Sequence, residues 1–267
     1  MASLTEQEFA QFQRFIFDAA GISLASSKQA LVSGRLAARL SACRVASYSE
    51  YLRLLRSGRA PAELQRAVDL LTTNETFFFR EPEHFALLKR RVVARAHGPG
   101  AFRVWSAAAS SGEEAYSAAM VLEDCLPGGP WEVVGTDVSV RVLERARAGI
   151  YPLARLSHVP KGYLRRFCLK GVGERAGTLL ITQRLREKVS FHHGNLNGQL
   201  PKLGLFDLVF LRNVLIYFNF ETQAGVVERV LASLKPGGLL LIGHSENLPE
   251  AIPGVKPLAP SVFEKTA

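Results

Sequence analysis

Two short segments about 130 residues apart set bare polar groups against aromatic and branched apolar side chains: Thr72-Thr73-Asn74-Glu75-Thr76-Phe77-Phe78-Phe79-Arg80-Glu81 and Leu211-Arg212-Asn213-Val214-Leu215-Ile216-Tyr217-Phe218. A core would keep the apolar residues and reject the polar ones, whereas a ligand cleft uses both. Between them lies Ala107-Ala108-Ala109-Ser110-Ser111-Gly112-Glu113-Glu114, a loop of small residues over which a ligand can approach the backbone closely. The helix that follows offers unpaired N–H groups. A dinucleotide site would place G-x-G-x-x-G here to hold a pyrophosphate. This loop has one glycine and two carboxylates, which repel phosphate and suit a ligand carrying positive charge. The plainer reading is that Glu113 and Glu114 favour the positive end of the helix. Asp137 stands 23 residues beyond Glu114, at the end of a second strand, where doubly wound folds hydrogen-bond ribose hydroxyls. An Asp there also serves as a helix cap. A ribose and a cationic group without phosphate describe S-adenosylmethionine.

The elements that must carry these residues follow from periodicity. Residues 1–72 read as four short amphipathic helices. The first opens on the capping-box spacing Thr5/Glu8, carries Phe9, Phe12 and Ile16 on one face, and stops at Gly21. The second runs over about residues 27–42. The third opens on Ser47/Glu50 and the fourth on Pro61. From Glu81 onward the pattern alternates. A helix with Phe85, Leu88 and Val92 leads through Gly98-Pro99-Gly100 to the strand Phe102-Arg103-Val104-Trp105-Ser106. Further strands are expected at residues 131–136, 206–210 and 239–242, with helices at about 138–148 and 222–234, the last stopped by Lys235-Pro236-Gly237-Gly238. Alternation of this kind predicts an α/β, doubly wound, mostly parallel Rossmann-like sheet. Residues from about 164 to 189 interrupt it with Gly171, Gly173 and Gly177 between two apolar runs, which predicts a small antiparallel β-subdomain insertion.

Composition excludes several classes. Hydrophobic residues make up 48% and charged residues 21%, as in ordinary globular proteins. No apolar run approaches the roughly 18–20 residues of a membrane span, and Met1-Ala2-Ser3-Leu4-Thr5-Glu6 lacks the pattern of a secretory signal. Cys43, Cys125 and Cys168 are isolated from one another and from any histidine cluster, so neither a disulfide framework nor a metal site is expected, and a reducing cytoplasm fits. The net charge of +9 is spread along the chain without a basic run.

Four motifs in order carry a resemblance: Asn74-x-Thr76-x-x-x-Arg80-Glu81; Trp105-Ser106-Ala107-Ala108-Ala109-Ser110-x-Gly112-Glu113-Glu114-x-Tyr116-Ser117; Arg212-Asn213-Val214-x-Ile216-Tyr217-Phe218; and Gly243-His244-Ser245-Glu246-Asn247. Together they resemble the bacterial chemotaxis receptor methyltransferases of the CheR type over nearly the whole chain. The resemblance implies an N-terminal helical domain at 1–72, a linker at 73–80 contributing to the cofactor site, and an S-adenosylmethionine-dependent methyltransferase domain at 81–267. It implies that Asn74, Thr76 and Arg80 line the cofactor site, that Glu114 and Asp137 hold the amino acid and ribose portions, that Asn195 and Leu196 lie beside adenine, and that Asn213 and Val214 floor the pocket. For Asn195 alone, an Asx turn after a strand is an equal reading. The implied reaction is methyl transfer to glutamate side chains of methyl-accepting chemotaxis receptors, leaving γ-methyl esters and S-adenosylhomocysteine. Arg80 and Tyr217 are the candidates for orienting the reacting groups. Their plainer readings are a salt bridge from Arg80 to Glu81 or Glu83 and a core position for Tyr217.

Lys28, Arg35 and Arg39 recur at spacings of seven and four, one helical face, and so form a candidate edge for a receptor's acidic methylation helices. Family members that tether to a receptor's C-terminal tail carry a longer loop in the β-subdomain, and the stretch containing Gly171 and Gly173 is similar to that type. An enzyme methylating amino groups of nucleic-acid bases would carry an Asn/Asp-Pro-Pro-aromatic motif where this chain has Arg212-Asn213-Val214, and no aromatic and basic stacking platform accompanies it. A cofactor-binding signalling or scaffold protein of the same fold, with another acceptor or no catalysis, is the alternative. Nothing in the chain demands more than a monomer.

Overall fold

A computed structural model describes residues 3–95, 100–248 and 252–266; Met1-Ala2 and the Gly98-Pro99 part of the expected break lie outside the described residues. Helix α1 (Glu6–Ala20) opens on a complete capping box, Thr5 accepting from Glu8 N while the Glu8 carboxylate accepts from Thr5 N. Such a cap is worth about 1 kcal/mol. Gly21, in the left-handed region at φ 73°, ends the helix. Helix α2 (Gln29–Ala42) follows a single 3₁₀ turn, Ser26–Lys28. Ser47 caps α3 (Tyr48–Arg56), but the Glu50 carboxylate accepts from Ala46 N, so this box is half formed. Helix α4 (Pro61–Leu71) has Pro61 in its first turn. The four helices bury Phe12, Ile16, Leu36, Tyr51 and Leu71 in a core of their own.

Beyond them come α5 (Pro82–Ala94), β1 (Phe102–Ser106), α6 (Glu113–Cys125), β2 (Trp131–Asp137), α7 (Val140–Ala148), β3 (Ile150–Pro152), α8 (Lys161–Phe167), β4 (Cys168–Lys170) and β5 (Thr178–Ile181). The chain continues through α9 (Gln183–Arg186), β6 (Val189–His193), β7 (Phe206–Leu211), α10 (Phe220–Ala232), β8 (Leu234–Ile242), β9 (Val255–Ala259) and β10 (Val262–Lys265). The main sheet has the order β6-β2-β1-β7-β8-β10-β9; the first five strands are parallel, and β10 and β9 close the edge antiparallel. One apolar core fills the face under α5 and α6, a second the face under α10. Burial from both sides explains why all six residues of β7 are apolar or internally paired. The strand order runs outward from β1 in both directions, so the crevice beyond its carboxyl end is where such a sheet accepts ligands.

Two expectations shift. The small antiparallel sheet, β3-β5-β4, takes its first strand from Ile150–Pro152, before the expected insertion at 164–189, and the chain is back in the main sheet at Val189. A three-residue strand is too short for alternation to reveal it. Residues 235–238, read as a stop, belong to β8: Leu234 already pairs with Phe206, and a register shift before Leu208 absorbs the Pro-Gly-Gly stretch, with Gly237 at φ 70°.

Candidate active site

A cavity of about 480 Å³ opens at the carboxyl ends of the parallel strands. Asn74, Thr76, Arg80, Glu114, Asp137, Asn195, Leu196, Asn213, Val214 and Tyr217, dispersed over 144 positions, all line it, and Lys28 reaches it from the helical unit.

The acidic side is set by β1, α6 and β2. Glu114 accepts from Ser106 Oγ at 2.7 Å, and burial holds its carboxyl above the ordinary range. Asp137 accepts from Ser110 N and Ser139 N, both at 2.9 Å. Burial outweighs these bonds and pushes its carboxyl up to about 6. Asp137 is not itself the cap of α7: its carboxylate accepts from the N–H of Ser139, the N-cap residue, in an Asx turn, and it also borders the cavity. Glu113, by contrast, is fully buried and bound by Arg155 and Ser111, away from the cavity lining.

Arg212 is the residue to which the sequence reading gave no role. Its side chain is 1% exposed, and it lies 3.2 Å from Glu81 and 3.4 Å from Glu114. Nη2 donates to the Arg80 carbonyl, and the rings of Phe85 and Phe210 flank the guanidinium at 5.6 Å each. The one signal for it in the sequence is its place just after the expected strand at 206–210; that this strand is buried along its whole length, leaving the guanidinium no water to reach, is a finding of the fold. Glu81 thus pairs with Arg212. The salt-bridge reading of Arg80 is not met; its guanidinium lies over Phe77 at 5.7 Å, donates to the Glu75 carbonyl, and borders the cavity.

Backbone strain gathers at the same place. Phe79, Glu81, Ser110 and Asn213 hold φ of 54°, 56°, 48° and 55°, a region that costs a non-glycine residue about 1–3 kcal/mol. Glu246 fixes one of these bends, accepting from Asn213 N and Gly243 N at 2.7 Å each and from Ile216 N at 3.3 Å. Tyr217 follows on that loop, its carbonyl accepting from Ser23 N at 2.7 Å, and burial raises its hydroxyl's pKa. The Asn195 side chain makes the Asx turn, Oδ1 accepting from Asn197 N, while Nδ2 donates to Ala19 O at the end of α1.

The expected docking stripe is more engaged than its spacing implied. Arg35 donates to the Leu71 and Thr72 carbonyls, and Arg39 is bonded to Glu63 at 2.7 Å. Lys28 is the exposed member. Gly171 sits where a Cβ would collide with the Arg175 carbonyl, and Gly173 turns the same loop at φ 56°. Sequence spacing led us to expect no metal ligands, yet the fold gathers Glu81, His84 and His244 with donor atoms within 4.8 Å of one another. Burial, with Arg212 beside it, lowers the pKa of His84 to about 4.

Comparison with known proteins agrees with this geometry. Residues 7–72 match the family described as "CheR methyltransferase, all-alpha domain" and residues 74–260 that described as "CheR methyltransferase, SAM binding domain". The chain is 42% identical over 265 residues to chemotaxis protein methyltransferase 2 of Pseudomonas aeruginosa, covering 97% of this chain and 93% of that one. It is 42% identical over 248 residues to the chemotaxis protein methyltransferase of Salmonella typhimurium, covering 92% and 85%.

Replacing Arg212 by Met leaves Glu81 and Glu114 buried without their cation and is expected to cost about 3–5 kcal/mol in urea unfolding. Adding Glu114→Gln should recover part of that loss. An unchanged midpoint in Arg212→Met would show that the pairs contribute nothing.

Proposed function

This chain belongs to the CheR methyltransferase family, and on that premise we propose that it methylates glutamate side chains of chemoreceptors, using S-adenosylmethionine and leaving γ-methyl esters and S-adenosylhomocysteine. The observation that carries this reading is the cavity: Glu75, Glu114 and Asp137 line it, and among the described residues a single glycine, Gly194, does, which is no phosphate cradle. Those residues fit the cofactor, Glu114 suiting its ammonium and Asp137 its ribose hydroxyls, with Asn74, Thr76, Asn195, Leu196, Asn213 and Val214 shaping the rest. When bound, S-adenosylmethionine supplies an electrophilic sulfonium methyl.

A receptor glutamate is already ionised at neutral pH, so the site needs no general base. In water its carboxylate is a poor nucleophile because it is hydrated. Phe77, Phe85, Val214 and Ile216 around the cavity displace that water, and Arg80 and Tyr217 orient the acceptor carboxylate. Neutralisation of opposite charges in the transition state favours such a weakly polar enclosure.

Docking is assigned to Lys28 in the cavity lining and to the face it shares with Arg35 and Arg39, although the charge of Arg39 is already met by Glu63. The receptor tail is assigned to the free edge of β4, beside the Gly171–Gly173 loop, where Leu169 and Val172 are 55% and 79% exposed. An added strand there would satisfy the edge's backbone groups. We further assign the protein to the cytoplasm as a monomer; among the described residues no helix is long and apolar enough to cross a membrane.

Labelled methyl from S-adenosylmethionine is expected to appear, base-labile, on purified receptor cytoplasmic fragments, and to fall when their C-terminal tails are removed. Cofactor binding without transfer to any fragment would overturn glutamate as acceptor; transfer indifferent to the tail would overturn the tether alone. With a good fragment, Arg80→Ala should lower kcat roughly 100-fold, whereas Lys28→Glu should raise KM for the receptor and leave cofactor affinity unchanged. Wild-type kinetics in either variant would remove that residue's role.

The raised carboxyl of Asp137 also sets a pH dependence. A ribose hydroxyl is held by the ionised form, and lowering pH through about 6 protonates it. Affinity for S-adenosylhomocysteine, by calorimetry, should stay level above about pH 7 and then weaken, by up to about tenfold per unit. A level affinity down to about pH 5 would take Asp137 out of the ribose site.

A further inference from the structure

Hydrogen-bond accounting around His84 leaves two acceptors facing each other. Ser261 has a single hydroxyl hydrogen and gives it to the Pro260 carbonyl at 2.7 Å. Its oxygen therefore accepts from His84 Nε2, 2.9 Å away. With the hydrogen on Nε2, the neutral imidazole has its lone pair on Nδ1. That lone pair meets Glu81 Oε2 at 3.5 Å, and both atoms are buried without a hydrogen-bond partner. His244 Nε2 stands 4.0 Å from the same carboxylate oxygen. His84 is 2% exposed, so its bare nitrogen is aimed into this cluster and not at solvent.

We infer that Glu81, His84 and His244 form a binding site for a single divalent transition-metal ion of the zinc class, beside the cofactor cavity and outside it. Two imidazole nitrogens and a carboxylate oxygen suit zinc and its first-row neighbours better than magnesium or calcium, which prefer all-oxygen sites. Two ligands bound tetrahedrally at about 2.0–2.1 Å stand about 3.4 Å apart, close to the Glu81–His84 separation. His244, with its side chain 49% exposed, closes the remaining distance by rotation and leaves a fourth position to solvent. The His84–Ser261 bond is the outer contact that orients a ligating imidazole.

Arg212, also 3.2 Å from Glu81 Oε2, opposes the ion. Its charge is shared with Glu114, so Glu81, Glu114 and Arg212 together carry one net negative charge for the ion to meet. This sets the affinity below that of a closed four-ligand site. None of the three ligands lines the cofactor cavity, so the ion acts as a staple. It joins the first turn of α5 to the loop after β8 and, through Ser261, to the turn between β9 and β10.

The test is zinc binding by the full chain, stripped with chelator and dialysed against zinc sulfate, with cobalt as a spectroscopic probe. Expected are one zinc per chain, visible cobalt absorption and a zinc-dependent rise in unfolding temperature. His244→Ala changes an exposed side chain and should weaken binding at least about tenfold and abolish the rise. A His192→Ala/His193→Ala control should retain both. His84→Ala should behave as His244→Ala does, and if it fails to fold the His244 variant still decides. Zinc well below one per chain, or equal binding by wild type and His244→Ala, would overturn the proposal.

Discussion

A guanidinium does not give up its proton in a protein, so one buried at the end of a central strand must be met by carboxylates. Arg212 is met by Glu81 from the linker into α5 and by Glu114 from the first turn of α6. Three elements far apart in the chain are thereby brought to one point, and that point borders the cavity. The rings of Phe85 and Phe210 close around the charge and exclude the water that would otherwise weaken both pairs. Glu114 is thus held in place by a partner that borders the same cavity.

The strained backbone has the same origin. Glu81 can face Arg212 only if the chain bends sharply before α5, and both Phe79 and Glu81 take positive φ to do so. Asn213 takes the corresponding bend on the other side, where Glu246 gathers three backbone N–H groups. Ser110, at φ 48°, turns its N–H onto Asp137. The bends at Glu81, Ser110 and Asn213 are each held by charge-assisted hydrogen bonds, and that at Phe79 by its N–H donating to Ser117 Oγ, which offsets their cost. The result is a set of polar groups arranged before any ligand arrives.

The helical unit takes part in this arrangement directly. Ile22 forms a bridge with Phe218, Ser23 N donates to the Tyr217 carbonyl, and Asn195 donates to the end of α1. Gly21, with no side chain, lets Asn197 come close; a Cβ there would lie 2.8 Å from that side chain. The cavity therefore lies between the helical unit and the carboxyl ends of the main sheet's strands, with lining residues from both.

Local chemistry made much of this legible in the sequence. Periodicity and caps set out the four helices and the core strands, because burial of one face imposes those patterns whatever surrounds them. Side-chain type and position marked the segments around Asn74, Glu114, Asp137 and Asn213, because a ligand site needs polar groups where a core would not accept them; Asn195 and Leu196 were indicated only by the family resemblance. Long-range pairing was not legible. The short strand β3 and the antiparallel edge of the main sheet have no local signature. The partners of Arg35, Arg39 and Arg212 lie 24 to 131 positions away, measured to Glu63 from Arg39 and to Glu81 from Arg212. Whether a charge faces water, a ligand or a buried counter-ion depends on which distant segment packs against it, and only the tertiary structure decides that.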